Sequence, residues 1–223
     1  MRTLLLALPA CLLSGVLLSA QTAPAPKAPV AAKTAVAAKA PAPVTNYKEM
    51  GSPSAPLTFE AYTDYECPHC AIFFRDVVPN LMAQYVQTGK VRFVHRDFPL
   101  TQIHQWAQLA ARFANAAGEI GQYELVVNQI FKTQDTWSRT GNIDAEVAKV
   151  LPPGAMQKVR ELVKSDPRLD DSIKKDVDMA MNLDHVNSTP TVVIVAKGKR
   201  TVIATVLPFS TWKSYLDEML AKQ

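Results

Sequence analysis

The sequence predicts an α/β fold: a parallel β-α-β unit and a late β-hairpin, separated by a long helical block. Three observations carry this reading. A Thr- and aromatic-rich run leads into a proline-opened helical pattern and then an alternating run, over residues 56–96. A helical signal of roughly eighty residues follows, with no strand-like stretch inside it. A β-branched run then turns through Lys197-Gly198-Lys199 into a second one, ahead of a last amphipathic segment.

Pro56 to Tyr65, PLTFEAYTDY, reads as a buried strand. Pro68 supplies the φ angle of a first helical turn and lacks an N–H that would go unused there. Ile72, Phe73, Val77, Leu81 and Tyr85 continue at helical spacing to about Thr88, where Gly89 stops the pattern. Lys90 to Arg96 alternates as a second strand and is ended by Asp97-Phe98-Pro99. A strand, a helix and a strand in this order imply a parallel pair joined by a right-handed crossover. From Thr101 to about Asp184 the pattern is helical. Ile103, Trp106, Ala110, Phe113 and Ala117 make one face; Tyr123, Val126, Val127, Ile130 and Phe131 make the next. Weaker helices are expected around Ala145–Val150, Gly154–Lys164 and Leu169–Leu183. Thr191–Ala196 and Thr201–Val206 form the hairpin. Ser210 is expected to cap the last helix, whose apolar side holds Trp212, Tyr215, Leu216 and Met219.

The chain has 223 residues, 48% hydrophobic and 20% charged, as in a globular protein. Its net charge of +4 is too small to argue for nucleic acid, and no basic run interleaves with aromatics. Residues 1–20 read as an export signal: Arg2, an apolar run from Leu4 to Leu18, and the small residues Ser19-Ala20 before Gln21. An uncleaved N-terminal anchor is the alternative. Leu8-Pro9-Ala10-Cys11 fits a lipoprotein signal poorly, because the apolar run continues past Cys11. Residues 21–45, rich in Ala, Pro and Lys, have no apolar face to bury and read as an extended disordered tether. The folded domain is expected over 46–223.

Of three cysteines, Cys11 falls in the signal, leaving Cys67 and Cys70. A disulfide across two residues constrains little of the unfolded chain, so the pair is better explained by chemistry than by stability. Cys67 falls at the N-terminal end of the helix opened by Pro68, where free N–H groups and the helix dipole favour a thiolate. The thiolate is the attacking species in disulfide exchange. Cys70, one turn on, faces back and can displace a mixed disulfide. His69 can donate a hydrogen bond or place positive charge beside Cys67. A stabilised thiolate favours the dithiol and so makes the disulfide an oxidant.

The segment Tyr65-Glu66-Cys67-Pro68-His69-Cys70 resembles the active site of the DsbA-like thiol oxidases. Ser188-Thr189-Pro190-Thr191 is similar to the cis-proline loop that thioredoxin-fold proteins set opposite their CxxC. Arg96-Asp97-Phe98-Pro99-Leu100, with His104 and an alanine-rich helix after it, resembles the members that carry a helical insertion. The resemblance covers about residues 47–223. It implies a thioredoxin-like fold with an inserted all-helical subdomain over about 101–185. It also implies a cis Thr189–Pro190 bond that turns the Thr189 backbone toward a passing peptide, recognition by strand addition. The implied activity is donation of the Cys67–Cys70 disulfide to reduced exported polypeptides, with catalysis by Cys67, Cys70, His69, Pro68, Pro190 and Thr189. The redox-active disulfide replaces any cofactor, and no metal is expected. Each turnover leaves a dithiol, so a separate reoxidant is required; the resemblance implies a quinone-linked membrane thiol oxidase. The chain is expected to act as a monomer outside the cytoplasm, in a periplasm or tethered to a membrane.

Three departures from the family pattern stand out. Family members often hold a buried acid under the CxxC; here the strand offers Glu60 and Asp64, read as solvated surface acids with a proton shuttle to Cys70 as the alternative. Thr189 stands where some oxidases have valine, and also occurs in isomerases. Leu207-Pro208-Phe209 is expected to make a bulky apolar groove rim. His95, His104 and His185 read as structural, and Trp106 and Trp137 as core or rim. Two other functions stay open: an isomerase or reductase on the same scaffold, and a Cys/His metal-binding protein of the copper-chaperone kind. A zinc site of CxxC type ordinarily needs a second ligand pair.

Overall fold

The computed structural model describes residues 46–223; the expected export signal, Cys11 and the tether lie outside the described residues. The strands are β1 (Glu49–Met50), β2 (Leu57–Thr63), β3 (Val91–Asp97), β4 (Thr191–Ala196) and β5 (Lys199–Ile203), in one sheet of order β1-β3-β2-β4-β5. β2 and β3 are parallel, from Leu57 opposite Val91 to Thr63 opposite Asp97. β4 runs antiparallel to β2, and β5 to β4. β2 therefore lies inside the sheet, which explains its run of buried residues.

α1 (Pro68–Asp76) and α2 (Val78–Leu81) connect β2 to β3, followed by a π-helical turn over Met82–Val86. The single helix expected to about Thr88 is thus broken. Pro79 has no N–H to give the carbonyl four residues back, and the chain steps aside at Val77. The insertion between β3 and β4 holds α3 (Ala107–Glu119), α4 (Tyr123–Lys132), α5 (Gln134–Trp137), α6 (Ile143–Val147), α7 (Pro153–Ser165) and α8 (Arg168–Met179), the last continued by a π-helical stretch to Asp184. Its most legible helix is α4, whose five predicted apolar residues are all buried. α3 starts at Ala107, later than expected; Ile103 lies in the turn before it, exposed, and Trp106 is its N-cap. Two short elements, β1 and α5, carry too little periodicity to be read from sequence. β5 ends at Ile203 rather than Val206. The last helix, α9 (Phe209–Ala221), is opened by Pro208; Ser210 does not cap it.

Alternation along the strands gives the sheet two faces. Leu57, Phe59, Ala61, Val91, Phe93, Val192 and Ile194 point to one. They join a large apolar cluster with Phe73, Leu81 and Trp212. The rings of Phe73, Phe93 and Trp212 lie 4.9–6.2 Å from that of Phe59. Tyr62 and Val193 point to the other face and meet Phe98, Ala180 and Val186 in a smaller cluster. Around it the contacts are ionic. Glu60 accepts from Arg96 Nε at 3.0 Å and Arg200 Nη2 at 3.2 Å, Arg200 Nε reaches Asp184 at 2.6 Å, and Lys48 Nζ reaches Asp176 at 2.8 Å.

Candidate active site

The sheet ends where the reactive loop begins. β2 stops at Thr63, and residues 64–67 turn the chain into α1, with Cys67 as its N-cap and Pro68 at its first position. The Cys67 carbonyl accepts from Cys70 N at 3.0 Å and Ala71 N at 3.2 Å. This winding sets Cys70 one turn above Cys67, both as free thiols. Cys67 retains 6% of its surface and Cys70 none. Cys67 is thus the more accessible of the two, although it is itself largely covered.

From the other side comes the loop before β4. The Thr189–Pro190 bond is cis. Cys67 Sγ lies 3.5 Å from the Thr189 carbonyl oxygen. The Thr189 hydroxyl is buried without a partner of strict hydrogen-bond geometry among the described residues. It lies near enough to both sulfurs to draw both thiols toward ionisation.

The two thiols are driven apart. Hydrogen bonding from Cys70 lowers Cys67 most; burial opposes it, and Thr189 and the amides of Cys70 and His69 assist, bringing the Cys67 pKa to about 5. Cys70 is pushed well above the ordinary thiol range, first by burial and then by its thiol bond to Cys67 and the charge there. Donors at a helix N-terminus stabilise a thiolate, as the sequence implied. The His69 side chain, expected to donate to Cys67 or to place charge beside it, is exposed in this dithiol state and makes no hydrogen bond among the described residues. What His69 supplies to Cys67 is its backbone amide.

Both acids read as surface groups are buried: Glu60 is 6% exposed and Asp64 1%. Glu60 is occupied by two arginines. Asp64 touches the dithiol through its backbone, with its N–H 3.4 Å from Cys70 Sγ and its carbonyl accepting from Cys67 N at 3.2 Å. Its carboxylate accepts from Glu66 N at 2.7 Å, Leu100 N at 2.8 Å and His104 Nδ1 at 2.8 Å. Gln134, which the sequence reading missed, donates to the carbonyls of Tyr65 at 2.7 Å and Cys67 at 2.9 Å. His95 is fully buried between Thr63 and Tyr123, and burial brings its pKa down to about 3, so it is a neutral core histidine at neutral pH. Trp137 is core and Trp106 half-buried. Leu207 and Phe209 are half-buried against the main apolar cluster, with Pro208 exposed between them. A groove of about 500 Å³ runs beside α1, lined by Pro68, Ala71, Ile72, Phe131 and Gln134 among others. This accounts for Ile72, which the helical pattern placed in the core and which is 37% exposed.

A family profile described as thioredoxin matches residues 44–218. The structure of alpha-DsbA1 from Wolbachia pipientis superposes with a TM-score of 0.67 at 22% identity, covering 78% of this chain and 91% of that one. A protein of Rickettsia bellii, provisionally named protein-disulfide oxidoreductase, is 32% identical over 89 residues, 40% of this chain and 33% of that protein. A Na(+)/H(+) antiporter NhaA 3 of Salinispora tropica is 36% identical over 85 residues, 38% of this chain. The chain spans only 12% of that antiporter's length and a third of the Rickettsia protein's.

Proposed function

We propose that this chain, which belongs to the thioredoxin family and has the helix-inserted fold of the DsbA-like proteins, is a protein disulfide oxidoreductase working in the oxidising direction. The observation that carries the reading is the split between the thiols: Cys67 brought to about pKa 5 beside a Cys70 held neutral by burial. In the disulfide form, a substrate thiolate attacks Cys67 and the electron pair of the broken S–S bond passes to Cys70. A second substrate thiol then displaces Cys67, which leaves readily because its thiolate is stabilised. Thr189 and Pro190 form the wall beside Cys67 against which an extended substrate segment would lie. The substrates would be reduced exported polypeptides, reached through the signal over 1–20 and the tether over 21–45. Return to the disulfide needs an external acceptor, for which a membrane thiol oxidase is the chemical candidate. Among the described residues no helix is long and apolar enough to cross a membrane.

The deciding measurement is the equilibrium reduction potential of the Cys67–Cys70 pair in a glutathione buffer. A value well above that of thioredoxin, about −270 mV, is expected; a value at or below it overturns the oxidising direction. Thiolate absorbance should titrate near pH 5. Cys67→Ser should abolish exchange, and Cys70→Ser should accumulate mixed disulfides with thiol substrates.

The same asymmetry sets a pH dependence of stability. The folded pKa of Cys67 lies below that of a free thiol, 9.0. The thiolate therefore stabilises the folded dithiol fully above pH 9, and this contribution shrinks as pH falls and vanishes below about 5. At pH 7 it amounts to roughly 3 kcal/mol, at about 1.36 kcal/mol per pKa unit. The reduced protein should then melt above the oxidised one at pH 7, with the gap closing toward pH 5. An oxidised form that melts higher at neutral pH contradicts this.

A further inference from the structure

The donation step creates a demand that the Cys67 thiolate does not meet. When a substrate thiolate attacks Cys67, the S–S electron pair arrives on Cys70, a sulfur with none of its surface exposed. Buried charge without a partner is costly. The backbone donor placed on Cys70 Sγ is the Asp64 N–H, at 3.4 Å.

That amide belongs to a loop residue outside regular structure, so its aim depends on what holds Asp64. Its own side chain provides the hold. Oδ1 takes Glu66 N, which pins the turn leading to Cys67. Oδ2 takes Leu100 N and His104 Nδ1, which pin Asp64 to the segment that opens the helical insertion. Of these contacts, His104 is the one made by a side chain. It lies 40 residues from Asp64 in sequence, with 18% of its side chain exposed. Glu66 repeats the linkage nearby, its Oε2 accepting from Trp106 N at 2.7 Å.

We propose that His104, acting through the Asp64 carboxylate, is a positioning residue that aims the Asp64 N–H at Cys70, and that this amide receives the negative charge of Cys70 as the mixed disulfide forms. The proposal rests on the disulfide-exchange reading and assigns it a further part. In the step, the substrate S–Cys67 bond forms and the Cys67–Cys70 bond breaks. Cys70 leaves as a thiolate on the Asp64 amide and then takes a proton from solvent. The second substrate thiol loses its proton to solvent and closes the product disulfide, releasing Cys67 as thiolate. Two substrate thiols are oxidised and one protein disulfide is reduced; the one proton released in net is that lost by the first substrate thiol on becoming the attacking thiolate.

The test is a stopped-flow reaction of the oxidised full chain with a cysteine-containing peptide, for wild type, His104→Ala and His104→Gln. Glutamine keeps an N–H donor for Asp64 and alanine does not. His104→Ala is expected to slow mixed-disulfide formation about tenfold, within the range for losing a hydrogen bond to a charged group. The thiolate titration of Cys67, read by absorbance on the reduced protein, should stay where it is. His104→Gln should recover most of the rate. A His104→Ala protein that reacts at the wild-type rate overturns the proposal. So does one whose Cys67 titration moves in step with the rate, since the effect then runs through Cys67, and so does a glutamine variant as slow as alanine. Wild type inert toward the peptide would defeat the exchange reading itself, an outcome distinct from these.

Discussion

The two faces of the sheet are held by different forces, although the same strands make both. On one, Phe59 is fully buried and its ring meets those of Phe73, Phe93 and Trp212. On the other, one residue along, Glu60 is 6% exposed and shared between Arg96 and Arg200. The apolar face carries α1, and hence the reactive loop, on close-packed contacts that are insensitive to pH and salt. The ionic face carries α8 and its π-helical extension on charge pairs. Such pairs contribute little relative to an apolar replacement, yet losing one partner leaves the other buried and unpaired. Packing thus makes one face stable, while the other is conditional on every partner being present.

Phe59→Ala is the severest way to probe this contrast. It should cost about 4 kcal/mol in urea unfolding at pH 7, as for large-to-small changes in a closed core, with the same loss at pH 5. Glu60→Ala should cost less, about 2 kcal/mol. Removing one partner of a buried pair typically costs more, but Arg96 keeps Asp176 and Arg200 keeps Asp184. A larger loss from Glu60→Ala than from Phe59→Ala would reverse the comparison.

Acid sharpens it. Burial opposes ionisation of Asp184, but bonds from Arg200 and Tyr62 outweigh it and hold its carboxyl below the ordinary 3.8. A lowered folded pKa adds stability above the unfolded value, and this is lost as pH falls through the folded one. Asp184→Asn should therefore cost about 1.5 kcal/mol at pH 7 and much less at pH 2, whereas the Phe59→Ala loss should persist in acid. Lys174→Ala, at an exposed i,i+4 pair with Asp178, should leave the urea midpoint unchanged.

The contrast also explains what could be read in advance. The apolar face was legible because burial follows local periodicity: Phe59, Phe93, Ile194 and the five residues of α4 all fall where the pattern puts them. The CxxC and the Thr189-Pro190 loop were legible as motifs. The ionic face was not, because an acid in a strand is indistinguishable from a surface acid until its partners are known, and those of Glu60 lie at positions 96 and 200. Asp64 was misread for the same reason, its partner being His104. Gln134 gave no signal at all, since an amide that caps two loop carbonyls looks like any polar residue. For His69 the motif shows a side chain, while the backbone amide that helps to lower Cys67 is invisible in it.

The Gln134 bridge to the carbonyls of Tyr65 and Cys67 has one more consequence, taken with the bonds from Trp106 N and His104 to Glu66 and Asp64. The segment that holds the thiols is sutured at both of its margins to the insertion, one stitch arriving before α3 and another from α5. Loop and insertion are thus a single inheritable part. Residues 64–70 transplanted onto a sheet that lacks the insertion would carry the cysteines but lose the insertion's donors to four anchors, the carbonyls of Tyr65 and Cys67 and the carboxylates of Asp64 and Glu66. Conversely, drift in α5 would reach the thiols without touching either cysteine.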